Sequence, residues 1–245
     1  MRILHTNDLH GSLTRQMAEK LSEERQEDFY FDCGDCVQSG NMGVPREREP
    51  VWDLLSLAGC TASVPGNREF HITEAGFRAK LAGCKHPVLA ANLEWKGEPK
   101  KPLIERHEGD FRLKDSQPLA SGILLGEVGV FGVMVPMVTG RMTARHLSAF
   151  VNTSPVDSAR KCVERLRECS KAIICLSHVG LKQDISIAET VDGIDLILGG
   201  HSHDILEQPV QIRKTFICQT GSHGRYFGLY ELDNGKLEAT LHPLK

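Results

Sequence analysis

The chain lacks any apolar run long enough for a secretory leader or a helical membrane span, so neither is expected. It has no excess of charge of one sign: a net −3 gives no electrostatic reason for broad affinity to nucleic acid or anionic membranes. Attraction for an anionic substrate must therefore be local, from a metal or a few arginines. Aromatics are scarce at 6%, and Trp52, Trp95 and Phe70 are read first as core or loop anchors rather than base-stacking platforms. Internal repeats, low-complexity tracts and long linkers are also missing, so solenoid and disordered architectures fall away.

What is present suits one globular unit. A chain of 245 residues, 40% hydrophobic and 25% charged, can bury roughly 70–75% of the surface it exposes unfolded. We read 1–245 as a single domain that needs no cross-links. The eight cysteines are accordingly expected to be reduced, and the cytoplasm is the expected compartment. Cys33 and Cys36 form a C-x-x-C pair around Asp35. With only one such pair, packing beside a site is the better account than a redox switch or zinc.

Short β-rich runs alternate with helical patterns, which predicts an α/β architecture. Ile3 to Thr6 and Phe29 to Cys33 read as strands around a polar helix near Arg15 to Arg25. Ala62 to Val64 and His86 to Leu93 read as further strands, and Ile123 to Val135 as two strands meeting near Gly126. Ser154-Pro155 looks like an N-cap followed by proline in the first turn, and Val156, Ala159, Val163, Leu166 and Cys169 then recur at helical spacing. Lys171 to Leu176 and Asp195 to Leu198 are apolar strands of the kind covered on both faces. Asp233-Asn234-Gly235 marks a hairpin turn, and Glu94 to Gln117 reads as a surface excursion.

The chemistry-bearing residues fall at the strand ends. Asp8 and His10 follow the first strand, Asp35 the second and Asn67 the third; His178 follows Ile173–Leu176, and His201 and His203 follow Ile197–Gly199. Loops at the carboxyl edge of a parallel sheet converge on one place, which is where α/β folds form ligand sites. A set of carboxylate, imidazole and amide donors suits manganese, iron, cobalt or zinc rather than calcium or an iron–sulfur cluster.

Asp8-Leu9-His10, Gly34-Asp35, Gly66-Asn67, His178 and Gly200-His201-Ser202-His203 together resemble the calcineurin-like metallophosphoesterase signature, in order. The opening Ile3-Leu4-His5-Thr6-Asn7-Asp8-Leu9-His10-Gly11, with Ala91-Asn92-Leu93, Leu176-Ser177-His178-Val179-Gly180 and Gln219-Thr220-Gly221, is similar to the 5′-nucleotidase branch. That resemblance implies a four-layer αββα sandwich and two divalent ions, manganese favoured. It implies one ion on Asp8, His10, Asp35 and His203, the other on Asp35, Asn67, His178 and His201, with Asp35 bridging. A bridging water or hydroxide would attack phosphorus in line with the leaving oxygen. The implied substrate is a nucleotide or similar small phosphomonoester; a phosphodiesterase and a catalytically weak nucleotide-binding regulatory module are the alternatives. No nucleic-acid or membrane partner is implied.

Two departures stand out. Where the family reads Gly-Asn-His-Glu, and its nucleotidase branch continues Phe-Asp, this chain reads Gly66-Asn67-Arg68-Glu69-Phe70-His71. Arginine cannot serve as a proton donor near neutral pH, but it can hold charge on phosphoryl oxygens. Arg68 is therefore the candidate phosphate clamp, and His71 or water the candidate source of the leaving-group proton. The branch's C-terminal base-gripping domain has no counterpart before Lys245. Base recognition is then expected from this domain's own loops, or from a second copy or partner subunit completing the site. His223, Arg141 and Arg145 are further candidates for lining it.

Overall fold

In the computed structural model, which describes residues 1–26, 29–96, 105–106 and 119–245, the chain alternates strands and helices from its first residues. It runs β1 (Arg2–Thr6), α1 (Arg15–Arg25), β2 (Phe29–Asp32), α2 (Val51–Leu57), β3 (Ala62–Ser63), α3 (Glu74–Leu81) and β4 (Val88–Leu89). Then come β5 (Leu93–Trp95), β6 (Glu105–Arg106), β7 (Leu119–Ala120), β8 (Gly122–Leu125), β9 (Val128–Met134), β10 (Phe150–Asn152) and α4 (Pro155–Leu166). The remainder is β11 (Ala172–His178), α5 (Leu181–Thr190), β12 (Leu196–Leu198), β13 (Val210–Ile212), β14 (Thr215–Cys218), β15 (Tyr226–Asp233) and β16 (Lys236–Pro243).

The strands form two seven-stranded sheets, ordered β16-β15-β1-β2-β3-β4-β7 and β13-β14-β12-β11-β9-β8-β6, with β5 and β10 as a separate pair. Side-chain alternation sorts the second sheet into two cores. Ile174, Leu176, Val130, Leu196 and Leu198 face a cluster shared with β1, β2 and the first three helices. Ile173, Cys175, Phe131, Val133 and Ile197 face Ala159, Cys162, Val163, Leu166 and Ile187 on α4 and α5. The result is helices, sheet, sheet, helices: the αββα sandwich that the resemblance implies.

Helix starts follow local chemistry. Thr14, Thr73 and Ser154 cap α1, α3 and α4 by accepting the backbone N–H of Met17, Gly76 and Asp157, and Pro155 opens α4. No helix among the described residues is long and apolar enough to cross a membrane.

One expected element divides. The strand read over His86 to Leu93 is two: Val88–Leu89 belongs to the first sheet and Leu93–Trp95 pairs with Phe150–Asn152. Between them the chain leaves the ladder, and Asn92 bonds both the N–H and the carbonyl of Met134 with its side-chain amide. Much of the excursion read over Glu94 to Gln117 lies outside the described residues. All eight cysteines are free, and burial holds the Cys33 and Cys36 thiols well above their usual range, consistent with packing rather than redox chemistry.

Candidate metal centre

The central parallel strands deliver the ligands, and backbone hydrogen bonds join their loops. Beyond β1 and β2 the chain continues as a two-sided zipper. Asp8, His10 and Gly11 donate their N–H groups to the carbonyls of Gly34, Asp35 and Cys36 at 2.9, 2.8 and 2.8 Å. That pairing brings Asp8 and Asp35 side by side. Their loops need backbone conformations that side chains disfavour: Asp8, His10, Asp35, His201 and His203 all adopt positive φ, between 49° and 75°. Strain of this kind, of order 1–3 kcal/mol per residue, persists where surrounding structure enforces it. Gly66 allows the closest approach, since a Cβ there would collide with the Asp35 carboxylate.

Two groups of donors result, and Asp8 belongs to both. Asp8, His10 and His203 form one; Asp8, Asp35 and His178 form the other. In the first, the Nε2 atoms of His10 and His203 lie 3.0 Å apart, and Asp8 Oδ1 is 3.2 Å from His203 Nε2. In the second, His178 Nε2 faces Asp35 Oδ1 at 3.5 Å and Asn67 Oδ1 at 3.3 Å. Ligand atoms on one ion at about 2.0–2.2 Å stand roughly 3 Å from each other, so both groups have the right spread.

The hydrogen bonds favour a cation over self-pairing. His178 Nδ1 sits 2.6 Å from the Cys33 carbonyl, which can only accept, so Nδ1 carries a proton and Nε2 is the atom left for a second proton or an ion. Nε2 faces two oxygens. Asp8 Oδ2 accepts from the Asn7 amide and the His201 N–H, whereas Asp8 Oδ1 is buried with no hydrogen-bond partner. An orphaned carboxylate oxygen between imidazole nitrogens fits a divalent ion. The potential agrees. Burial alone would lower His178, but its contact with Asp35 and the charges of Asp35 and Asp8 lift it to about 10. The site thus favours positive charge at that ring.

The other sequence candidates take varied places. His201 stands beside the His178 ring, centroids 5.1 Å apart, outside both groups; its backbone supports Asp8. The resemblance gives the bridging role to Asp35, which faces His178 in the second group, and Asp8 stands close to the donors of both. Arg68 donates its backbone N–H to Asp35 Oδ1 and extends its guanidinium to the Gln38 carbonyl. Burial lowers His10 to about 4, and the Arg68 charge adds to this. His71 serves the turn before α3: its Nδ1 accepts the Thr73 N–H at 3.0 Å. His223 packs its ring 4.8 Å from His10, on a loop whose N–H binds the Asp8 carbonyl. Arg145 is turned to the Gly140 carbonyl.

Sequence reasoning missed the supports. Buried Glu69 accepts the N–H groups of Asp35, Val37 and Gly66 at 2.8, 3.1 and 2.7 Å. Glu49 accepts those of Gln38 and Ser39, and buried Lys80 donates to the carbonyls of Gly40 and Arg68. Asn7 binds Thr220 and Gly221. Glu69 carried a signal by its place in the Gly66-to-Phe70 block, and Asn7, Thr220 and Gly221 by theirs in the opening and Gln219-Thr220-Gly221 blocks; Glu49 and Lys80 carried none.

A family model for calcineurin-like phosphoesterases matches residues 1–204. The chain is 26% identical to the trifunctional nucleotide phosphoesterase protein YfkN of Bacillus subtilis, over 93% of this chain and 18% of that protein. It is 26% identical to the 5′-nucleotidase of Mus musculus, over 84% of this chain and 38% of the relative. It therefore spans well under half of either relative. Among solved structures, the 5′-nucleotidase precursor of Thermus thermophilus superposes with a TM-score of 0.75 at 21% identity, over 99% of this chain and 54% of that one. A sulfate thiohydrolase, SoxB, from the same genus gives 0.76 at 18% identity, over 99% and 56%. At such identities the structural likeness speaks for the fold.

Proposed function

The chain belongs to the calcineurin-like phosphoesterase family, and from that premise we propose that it hydrolyses small phosphate esters, a nucleotide or similar phosphomonoester, at a dinuclear divalent centre. The observation that carries this reading is the pair of donor groups sharing Asp8, whose Oδ1 is buried without a hydrogen-bond partner. Asp8, His10, Asp35 and His203 would hold one ion, and Asp35, Asn67, His178 and His201 the other; the observed groups Asp8-His10-His203 and Asp8-Asp35-His178 supply five of these seven residues. Manganese is the favoured metal for this mixed oxygen and nitrogen set. When bound, a divalent pair supplies Lewis-acid charge stabilisation and eases deprotonation of water.

The chain's own groups supply the rest. An arginine keeps its charge at neutral pH, and the Arg68 guanidinium, held at the Gln38 carbonyl, can take equatorial phosphoryl oxygens as negative charge builds on them. No proton can come from it. His71 accepts the Thr73 N–H at Nδ1, which leaves its Nε2–H, or solvent, as the source of the leaving-group proton. This arrangement suits leaving groups that depart easily, such as aryl phosphates and phosphoanhydrides. The nucleotide assignment draws on the printed names of the relatives.

The test is hydrolysis of p-nitrophenyl phosphate and bis-p-nitrophenyl phosphate by metal-free protein, before and after manganese, alongside Asp35→Asn. We expect manganese-dependent turnover that falls on the order of 100-fold or more in the variant. Faster cleavage of the diester would move the reading to a phosphodiesterase. Two ions bound with no turnover would sink it in favour of a weakly catalytic binding module.

A further inference from the structure

The side-chain amide of Asn67 has a choice that its sequence position does not settle. An asparagine can present either its oxygen, which ligates a cation, or its NH2, which cannot. Turned the wrong way, Asn67 would put two N–H bonds where His178 Nε2 and the Asp35 carboxylate converge. In the structure Oδ1 faces His178 Nε2 at 3.3 Å, and Nδ2 points away, donating to Asn41 Oδ1 at 2.9 Å.

We infer that Asn41 is a positioning residue, which fixes the Asn67 amide so that its oxygen faces the second ion. The inference rests on the dinuclear reading above and concerns how that site is prepared. Asn41 lies in the loop after β2, itself exposed at the rim, but the backbone leading to it is held from below. Glu49 accepts the N–H groups of Gln38 and Ser39 at 3.1 and 2.9 Å, and Lys80 Nζ donates to the Gly40 carbonyl at 2.9 Å. Lys80 also donates to the carbonyl of Arg68, the residue after Asn67. One buried ammonium thus ties the loop that orients the amide to the turn that carries it. A side chain hydrogen-bonding the far end of a ligand commonly affects metal affinity by 10–100-fold. Asn41 presents its oxygen, so it accepts from Asn67 Nδ2 and leaves Asn67 Oδ1 turned toward His178.

The experiment is titration of metal-free protein with manganese(II), by calorimetry and by the electron paramagnetic resonance signal of the coupled ion pair. It compares Asn41→Ala in the otherwise wild-type chain with the same change in a chain that also carries Asn67→Asp. A carboxylate has two equivalent oxygens and needs no orienting, so it separates amide positioning from general loop support. We expect Asn41→Ala to weaken the second ion roughly 10-fold or more, with the first unchanged. Asn41→Asp, which keeps the acceptor, should retain binding. In the Asn67→Asp background, Asn41→Ala should change the second affinity by less than about 2-fold, its orienting role being void. Equal losses in both backgrounds, or no loss in the first, would overturn the inference while leaving the proposed function standing. Failure of the wild-type chain to bind two ions would overturn both.

Discussion

In the inner donor group, around Asp35, Asn67 and His178, each ligand has a second bond that fixes it. Asp35 accepts the Arg68 N–H, Asn67 donates to Asn41, and His178 is locked to the Cys33 carbonyl. The outer group, around His10 and His203, is held mainly by ring packing and by left-handed backbone. The His10 ring lies 5.0 Å from His203 and 4.8 Å from His223, and the His203 side chain is 41% exposed where that of His178 is fully buried. Bonds to the far side of a ligand hold it ready before the ion arrives; packing at a rim lets it adjust. We read the inner group as the preorganised half and the outer group as the adaptable one.

Four substitutions would break or sharpen that contrast. The largest effect is expected at Glu69, whose carboxylate serves three backbone N–H groups beneath the inner ligands. Glu69→Gln puts an NH2 against donors, and should cost about 2–4 kcal/mol in a denaturant titration. A loss below about 0.5 kcal/mol would mean that the inner loops do not depend on it.

Removing one ligand from each group comes next. His178→Ala should weaken its ion by on the order of 100-fold and also lower the melting temperature, because the buried Cys33 carbonyl loses its donor. His203→Ala should weaken its ion by about 10-fold and leave the melting temperature of the metal-free chain nearly unchanged. Equal effects in calorimetry would erase the distinction between the halves.

The smallest change is expected from Arg68→His, a few-fold rise in hydrolysis of alkyl relative to aryl phosphates as a proton donor is restored at the leaving group. A slower alkyl reaction would show that the charge of Arg68 matters more than the missing proton.

How much of this was readable in advance varies by element. The hairpin about Asp233-Asn234-Gly235 came through because its turn chemistry is local, and Tyr226–Asp233 pairs with Lys236–Pro243 in register. The same holds for Ser154-Pro155 at the start of α4. Helices α2, α3 and α5 were not read. They are 7, 8 and 10 residues long, too short for periodicity to stand out from the loops around them. The break at Asn92 was hidden because no glycine or proline in Ala90-Ala91-Asn92 announces the turn that the Leu93 N–H closes on the Ala90 carbonyl, and the side-chain partner of Asn92, Met134, lies 42 residues away.

The sequence by itself determined the ligand types and their place just beyond strand ends, since both follow from motif wording and local pattern. It also determined the alternating α/β order. Only the tertiary structure decided that Asp8 stands close to the donors of both groups, that the His201 backbone supports it and that His71 serves a turn. It alone decided which way Asn67 faces. Each of those depends on an atom brought close from a distant part of the chain, and separation in sequence carries no record of such a distance.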